Sequence, residues 1–139
     1  MNSTVLRYKN LLQRRLNILE SIHKNTIAQS QALENKDDVL LGKLLKECEE
    51  HIKSFTQLMS LSEEPPAEEK DDEAVHKEHA IDSLLREIVS INGDNAKKVE
   101  ELKNDIADNI KNLKISRNFV QNSGLNLSQQ FGYFIDKKI

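Results

Sequence analysis

Apolar residues recur every three or four positions in three segments of this chain, and this spacing restricts its fold more than any other feature. In an α-helix such spacing places apolar side chains on one face, which must be buried against another element. The first segment opens at Ser3 and Thr4, which are good N-cap residues. Its apolar positions are Val5, Tyr8, Leu12, Leu16, Leu19, Ile22, Ile27 and Leu33. The pattern predicts a helix over residues 4–35.

A second amphipathic segment follows after only a few residues. Asp37 and Asp38 are N-cap candidates whose negative charge suits the start of a helix. The apolar positions of this segment are Leu41, Leu44, Leu45, Cys48, Ile52, Phe55 and Met59. The pattern predicts a helix over residues 38–61. The short connection predicts that the two helices form an antiparallel hairpin, which occupies residues 1–61.

The third segment is the longest and predicts a helix over residues 79–122. The polar run from Asn92 to Asn95, which includes Gly93, interrupts it. Because the apolar positions keep their phase across this run, we expect one continuous helix. A true break, with Asp94 capping a fourth helix, is the alternative. The apolar positions are Ile81, Leu84, Leu85, Ile88, Ile91, Val99, Leu102, Ile106, Ile110, Leu113, Phe119 and Val120.

Residues 62–78 and 123–139 lack this periodicity. Between residues 60 and 79 the chain carries eight acidic residues against two lysines, and Pro65-Pro66 ends the second helix. We therefore predict a flexible acidic linker over residues 62–78, which acts as a tether with no partner of its own. Gly124 predicts the end of the third helix, and residues 123–139 are expected to form a C-terminal tail.

Composition agrees with a single all-α domain, in which the hairpin packs on the long third helix as a three-helix bundle. Four Gly and 4% aromatic residues leave little material for strands and their turns. Basic runs longer than a pair are absent, so nucleic acid is not expected as a partner. The single Cys48 fits a reducing compartment and a place in the core. No stretch reaches the length of a membrane span or a signal peptide, so we expect a cytoplasmic protein without membrane insertion.

Catalytic and metal-binding patterns are weak. Asp72, His76 and His79 stand at intervals that could place three ligands on one helix face, but a charged helix edge has the same composition. Phosphate-binding glycine loops and nucleophile motifs are missing. We therefore predict no enzyme activity, no cofactor and no metal, and we expect a protein that works by binding.

Two runs in the second half carry a resemblance to a known family. They are IDSLLREIVSINGDNAKKVEELKNDIADNIKNLKISRNFV, from Ile81 to Val120, and the terminal GYFIDKKI, from Gly132 to Ile139. With the helical hairpin and the long third helix, they make the chain similar to flagellar type III export chaperones of the FlgN family. The FliT family is the next most similar. The first sixty residues match in pattern only.

The resemblance implies a non-catalytic cytoplasmic chaperone. Such proteins bind the C-terminal helical segments of flagellar hook-associated proteins, prevent their premature assembly and deliver them to the export gate. It implies a substrate groove on the later half of the third helix, which outruns its partners. The groove residues would be Val99, Leu102, Ile106, Ile110, Leu113 and Phe119. The alternative is that these six side chains are ordinary core.

The tail allows two interpretations. Phe131, Tyr133 and Phe134 either cover the end of the bundle or form a short peptide that docks on the export gate, with Tyr133 as the best candidate. Contact with the export ATPase is a further implication of the resemblance. A rival hypothesis from another class is a structural coiled-coil subunit that forms a homodimer through its third helix.

Overall fold

A computed structural model describes residues 3–61 and 63–113; for the last two residues of this range it describes only the backbone. Three α-helices dominate this part of the chain. Helix α1 spans Ser3–Glu34, α2 spans Asp38–Met59 and α3 spans Asp72–Leu113, and a single 3-10 turn, Ala67–Glu69, precedes α3. No strand occurs within the described ranges. The all-α fold is confirmed.

The turn between α1 and α2 explains why both boundaries match the predicted ones. Lys36 adopts a positive φ of 54°. Its N–H donates to the Leu33 carbonyl (3.2 Å), and the Asp37 N–H donates to the Ala32 carbonyl (2.9 Å). This pair of bonds closes the end of α1 as a Schellman motif. The Asp37 carboxylate then caps α2 by accepting from the Leu40 N–H at 3.1 Å.

Replacing Lys36 with glycine is expected to stabilise the protein. A side chain in the left-handed region costs about 1 kcal/mol that glycine avoids. For a domain of this size that gain corresponds to a melting temperature higher by about 2–6 °C. Calorimetry of the wild type and Lys36→Gly checks the shift. Lys43→Gly, at an exposed position inside α2, serves as the control and should lower the melting temperature.

Helix α1 lies at the centre of the arrangement, with α2 and α3 both packed along it. Asn25 contacts Leu44 and Arg15 contacts Leu58, so α1 and α2 are antiparallel as predicted. Lys77 reaches Gln13 and Asn95 reaches Ser30. Residue numbers therefore increase together along α1 and α3, and these two helices run parallel. The backbones of α2 and α3 make little direct approach to each other.

The contact between α1 and α3 follows a seven-residue repeat, as in a coiled coil. The α1 positions of this repeat are Val5, Leu12, Leu19, Thr26 and Leu33, and the α3 positions are Ala74, Ile81, Ile88, Asn95 and Leu102. All ten side chains are buried except Leu102, which is partly buried. The fourth position of each helix is polar, so a polar contact is built into an otherwise apolar interface.

The core therefore consists of two apolar clusters with a polar layer between them. The first apolar cluster holds eight buried residues, Tyr8, Leu12, Leu19, Ile22, Cys48, Ala74, Ile81 and Ile88. The second apolar cluster holds Ala32, Leu33, Leu41 and Val99, with Leu44, Leu45 and Leu102 packed against it. The polar layer consists of Asn25, Thr26, Gln29, Ser30 and Asn95. The prediction that Cys48 is a core residue is confirmed, since it is 2% exposed.

Two of the predictions about this architecture are wrong, one is confirmed and one falls outside the described residues. Ile27 was placed on the buried face of α1, yet it is 40% exposed, because Thr26 and Gln29 take the core positions at this level. Residues 72–78 were assigned to the acidic linker, yet they form the first two turns of α3. The continuous α3 through Asn92–Asn95 is confirmed. The predicted tail, 123–139, and the end of the third helix beyond Leu113 lie outside the described residues.

The early start of α3 has a local cause. The Asp71 carboxylate accepts a hydrogen bond from the Ala74 N–H at 2.9 Å, as an N-cap does. Asp72 and Glu73 occupy the first turn, where negative charge is favoured by the helix dipole. The acidic residues that predicted a solvated linker therefore form the N-terminal cap and the first turn of α3.

Candidate functional site

Two surfaces of the bundle carry features beyond ordinary packing, one at each end. The first is the C-terminal end of α3 beside the α1–α2 turn, where the sequence predicted a groove. The second is the N-terminal end of α3, where the acidic segment meets α1. Asp72, His76 and His79, the weak metal pattern, are all exposed. Within the described residues no group of three His, Cys, Asp or Glu side chains could hold a metal ion.

The predicted groove residues do not all lie on one accessible surface. Val99 is 1% exposed and belongs to the second apolar cluster, so the prediction that it lines an accessible groove is wrong. Leu102 packs against that cluster from the edge, and Ile106 and Ile110 are partly buried. Leu113 is the last residue of α3, and Phe119 lies outside the described residues. Phe131, Tyr133 and Phe134 lie outside them as well, so their docking role stays a prediction.

A cleft opens where Leu102 meets the α1–α2 turn, and we refer to it as the turn-end cleft. It holds roughly 210 Å³ and has an apolar floor with a charged rim. Its lining residues are Ala32, Leu33, Lys36, Asp37, Asp38, Leu41 and Leu102. This volume suits one or two apolar side chains of a partner and is below the range typical of small-molecule sites.

Helix α3 continues past the end of the hairpin. The Lys98 ammonium lies 3.7 Å from the Glu34 carboxylate, so the last residue of α1 is level with a point about two thirds of the way along α3. After Leu102, α3 runs for about three further turns, or roughly 16 Å. Leu102, Ile106 and Ile110 follow one another at intervals of four along this part. The turn-end cleft and the three side chains therefore form one continuous candidate surface.

At the other end, buried and half-buried charges join the acidic segment to α1. We call this group the N-terminal charge cluster. The Lys9 ammonium donates to Asp71 (2.9 Å) and to Glu73 (3.1 Å), although the lysine side chain is only 8% exposed. Lys70 donates to Glu64 and Glu78, and its ammonium also lies 5.5 Å from the centre of the Tyr8 ring. The Tyr8 hydroxyl donates to Glu78.

These contacts and burial shift the pKa values of four residues of the cluster. Burial and the neighbouring Glu78 carboxylate raise the pKa of Tyr8 to about 12. Hydrogen bonds from Lys9 and from the Ala74 N–H lower the pKa of Asp71. Burial opposes a lower pKa at Glu78, yet hydrogen bonds from Lys70 and Tyr8 outweigh it and lower the pKa. Bonds to Glu64 and Glu78 raise the pKa of Lys70.

The pKa shifts predict a loss of stability in acid. Asp71 and Glu78 have lowered pKa values when folded, so their contribution is complete above the ordinary values of 3.8 and 4.5. It is lost as the pH falls through the folded values. Between pH 7 and pH 3, the free energy of unfolding measured with urea should fall by less in Glu78→Gln than in wild type. Glu101→Gln, at an exposed position of α3, should lose as much as wild type; equal losses in all three proteins would contradict the prediction.

The sequence did not predict the N-terminal charge cluster, because the contacts that join it to α1, made by Tyr8 and Lys9, span 62 to 70 positions. The N-cap pattern of Asp71, Asp72 and Glu73 was the available local signal. The polar layer was missed for a related reason, since Thr26 and Asn95 are heptad positions whose polar character hides them from an apolar pattern. Neither the charge cluster nor the polar layer has the nucleophile, base or ligand geometry of a catalytic site.

Comparisons with protein families, curated proteins and solved structures found no match. None of the helices in the described part of the chain has the length and apolar character that crossing a bilayer requires.

Proposed function

We propose that this protein is a non-catalytic cytoplasmic export chaperone that binds an amphipathic helix of another protein. The observation that carries the proposal is the extension of α3 beyond the hairpin, with Leu102, Ile106 and Ile110 continuing from the turn-end cleft. An amphipathic helix laid along a neighbouring apolar surface is a recurrent mode of recognition. A spacing of four along α3 suits a helical ligand, whose own side chains repeat at three and four positions.

The resemblance to the FlgN family supplies the identity of the ligand in this proposal. The partners would be flagellar hook-associated proteins, bound through their C-terminal helices and then passed to the export gate, with the export ATPase as a further contact. The groove of the proposal is narrower than the sequence predicted. It comprises Leu102, Ile106 and Ile110 with the turn-end cleft, while Val99 lies beneath it in the core.

A binding experiment with the full chain tests the proposal. A purified C-terminal helical segment of a hook-associated protein should form a 1:1 complex, measured by light scattering and titration calorimetry. Ile106→Asp should weaken binding roughly tenfold or more, because a carboxylate would face the apolar side of the ligand. Asn109→Asp adds the same charge at an exposed position of α3 and should bind like wild type. Circular dichroism confirms that both variants are folded.

Two outcomes would contradict the proposal. If Ile106→Asp is folded and binds as well as wild type, the ligand does not use this surface. If the free chain is a salt-resistant homodimer with no affinity for the segment, the coiled-coil subunit replaces the chaperone as the function. In that case Ile106→Asp should disrupt the dimer, since the third helix would form the two-fold contact.

A further inference from the structure

The polar layer divides the bundle into two apolar parts of unequal size. The larger, first apolar cluster contains Ala74, Ile81 and Ile88 of α3. The smaller, second apolar cluster contains Val99 and Leu102 of α3. Residues 92–95 of α3 lie between the two. The part of α3 after the polar layer therefore depends on a small cluster, and the turn-end cleft already borders that cluster.

The hydrogen bonds of the polar layer are incomplete. Asn95 accepts from the Ser30 hydroxyl at 2.7 Å and donates to the Thr26 carbonyl at 3.2 Å. The Gln29 amide donates to Asn25 at 2.6 Å. Its own side-chain oxygen, and that of Asn92, receive no hydrogen bond from the described residues, although both atoms are buried. Unsatisfied buried acceptors cost free energy in the closed bundle, and opening to water would remove that cost.

The local sequence at this level also favours bending. Asn92, Gly93, Asp94 and Asn95 are all poor helix formers, and together they span slightly more than one turn. Gly93 is exposed, and a Cβ added there would meet nothing within 4 Å. Tight packing therefore does not require glycine at this position. The four residues are helical because α3 is anchored on both sides of them, as expected where tertiary contacts override propensity.

We infer that residues 92–95 are a hinge, and that residues 96–113 swing away from the α1–α2 turn as one unit. Opening uncovers the second apolar cluster, including Val99, Ala32 and Leu41. The amphipathic helix of the proposed function can then contact this uncovered surface as well as Leu102, Ile106 and Ile110. The identity of that amphipathic helix rests on the proposed function, whereas the hinge itself rests on the polar layer, the weak helical turn and the separate clusters.

Hydrogen exchange of the full chain, read by mass spectrometry or NMR, tests the hinge without any partner. The inference predicts a step in protection at residues 92–95. Amides of residues 97–110 should share one lower protection factor, and those of residues 78–90 a higher one. Ordinary fraying of a helix end predicts instead a smooth rise in protection from residue 110 back to residue 97. A smooth rise would overturn the inference.

Gly93→Ala provides the second measurement. Because the opening melts the helical turn at residue 93, the difference in helix propensity between glycine and alanine should slow exchange of residues 97–110 about fivefold. Ser83→Ala, at an exposed position of α3 before the hinge, is the matched control and should leave residues 97–110 unchanged. If Gly93→Ala leaves the exchange of residues 97–110 unchanged, the hinge is overturned. If protection shows the step at residues 92–95 but no helical segment binds, the proposed function is wrong and the hinge is still supported.

Discussion

Val99→Asp is expected to lower the free energy of unfolding by about 4 kcal/mol, or by the free energy of opening residues 96–113 at the hinge where that is smaller. Val99 is 1% exposed in the second apolar cluster, among Ala32, Leu33 and Leu41. A carboxylate placed there has no cation within the cluster and must be buried charged or protonated, and both states are costly. Urea unfolding followed by circular dichroism measures the loss.

Helix α3 offers a matched control for this substitution. Val89 carries the same side chain in the same helix and is 68% exposed. Val89→Asp should change stability by no more than about 0.5 kcal/mol. Val99→Ala, which removes two buried methyl groups, should cost about 2 kcal/mol. A loss below about 1 kcal/mol for Val99→Asp would show that this side chain lies in water, as the groove predicted from the sequence requires.

Asn95→Asp should destabilise the protein by about 3 kcal/mol at pH 7.5, although it changes a single non-hydrogen atom of the side chain. The Asn95 amide donates to the Thr26 carbonyl, and the side chain is fully buried. A carboxylate cannot donate this bond and would face the carbonyl oxygen with negative charge. Burial should raise the pKa of the new carboxyl above its ordinary value of about 3.9.

The sign of the pH effect follows from that shift. The new carboxyl would bind its proton more tightly in the folded state than in the unfolded state. The loss of stability relative to wild type should therefore be largest above the folded pKa and should become smaller as the pH falls. Urea unfolding at pH 7.5 and pH 5 should therefore show a smaller difference from wild type at pH 5. Asn104→Asp, at an exposed position of α3, should match wild type at both values. A deficit that is equal at both pH values would mean that the new carboxyl is solvated.

The two substitutions together test two kinds of contact that keep α3 packed on the α1–α2 hairpin. Val99 tests the apolar contact after the polar layer, and Asn95 tests the polar contact that sets how α3 is aligned with α1. Polar residues at heptad positions can specify alignment at a cost in stability. In this bundle the polar layer lies beside residues 92–95, a turn of α3 built from poor helix formers. The alignment of α3 with α1 and the bending of α3 therefore depend on the same site.

The sequence by itself determined the all-α class, the bounds of α1 and α2 and the continuity of α3. These features are local. Apolar spacing defines a helix face, Asp37 caps α2 within three residues, and the turn at Lys36 is closed by hydrogen bonds within five residues. The phase of the apolar positions across Asn92–Asn95 also predicts one continuous helix, although tertiary anchoring on both sides keeps those four residues helical. Patterns of this range can be evaluated from one sequence.

Only the tertiary structure decided which faces meet and which charges are buried. Lys9 reaches Asp71 across sixty-two positions, so the acidic segment became part of the bundle rather than a tether. Val99 became core because α3 runs parallel to α1 and places it over the α1–α2 turn. Thr26 and Asn95 became interior because heptad geometry selects positions regardless of polarity. Each outcome depends on contacts between residues that are far apart in the sequence. The free energy of such contacts cannot be evaluated from the pattern of a short stretch of sequence.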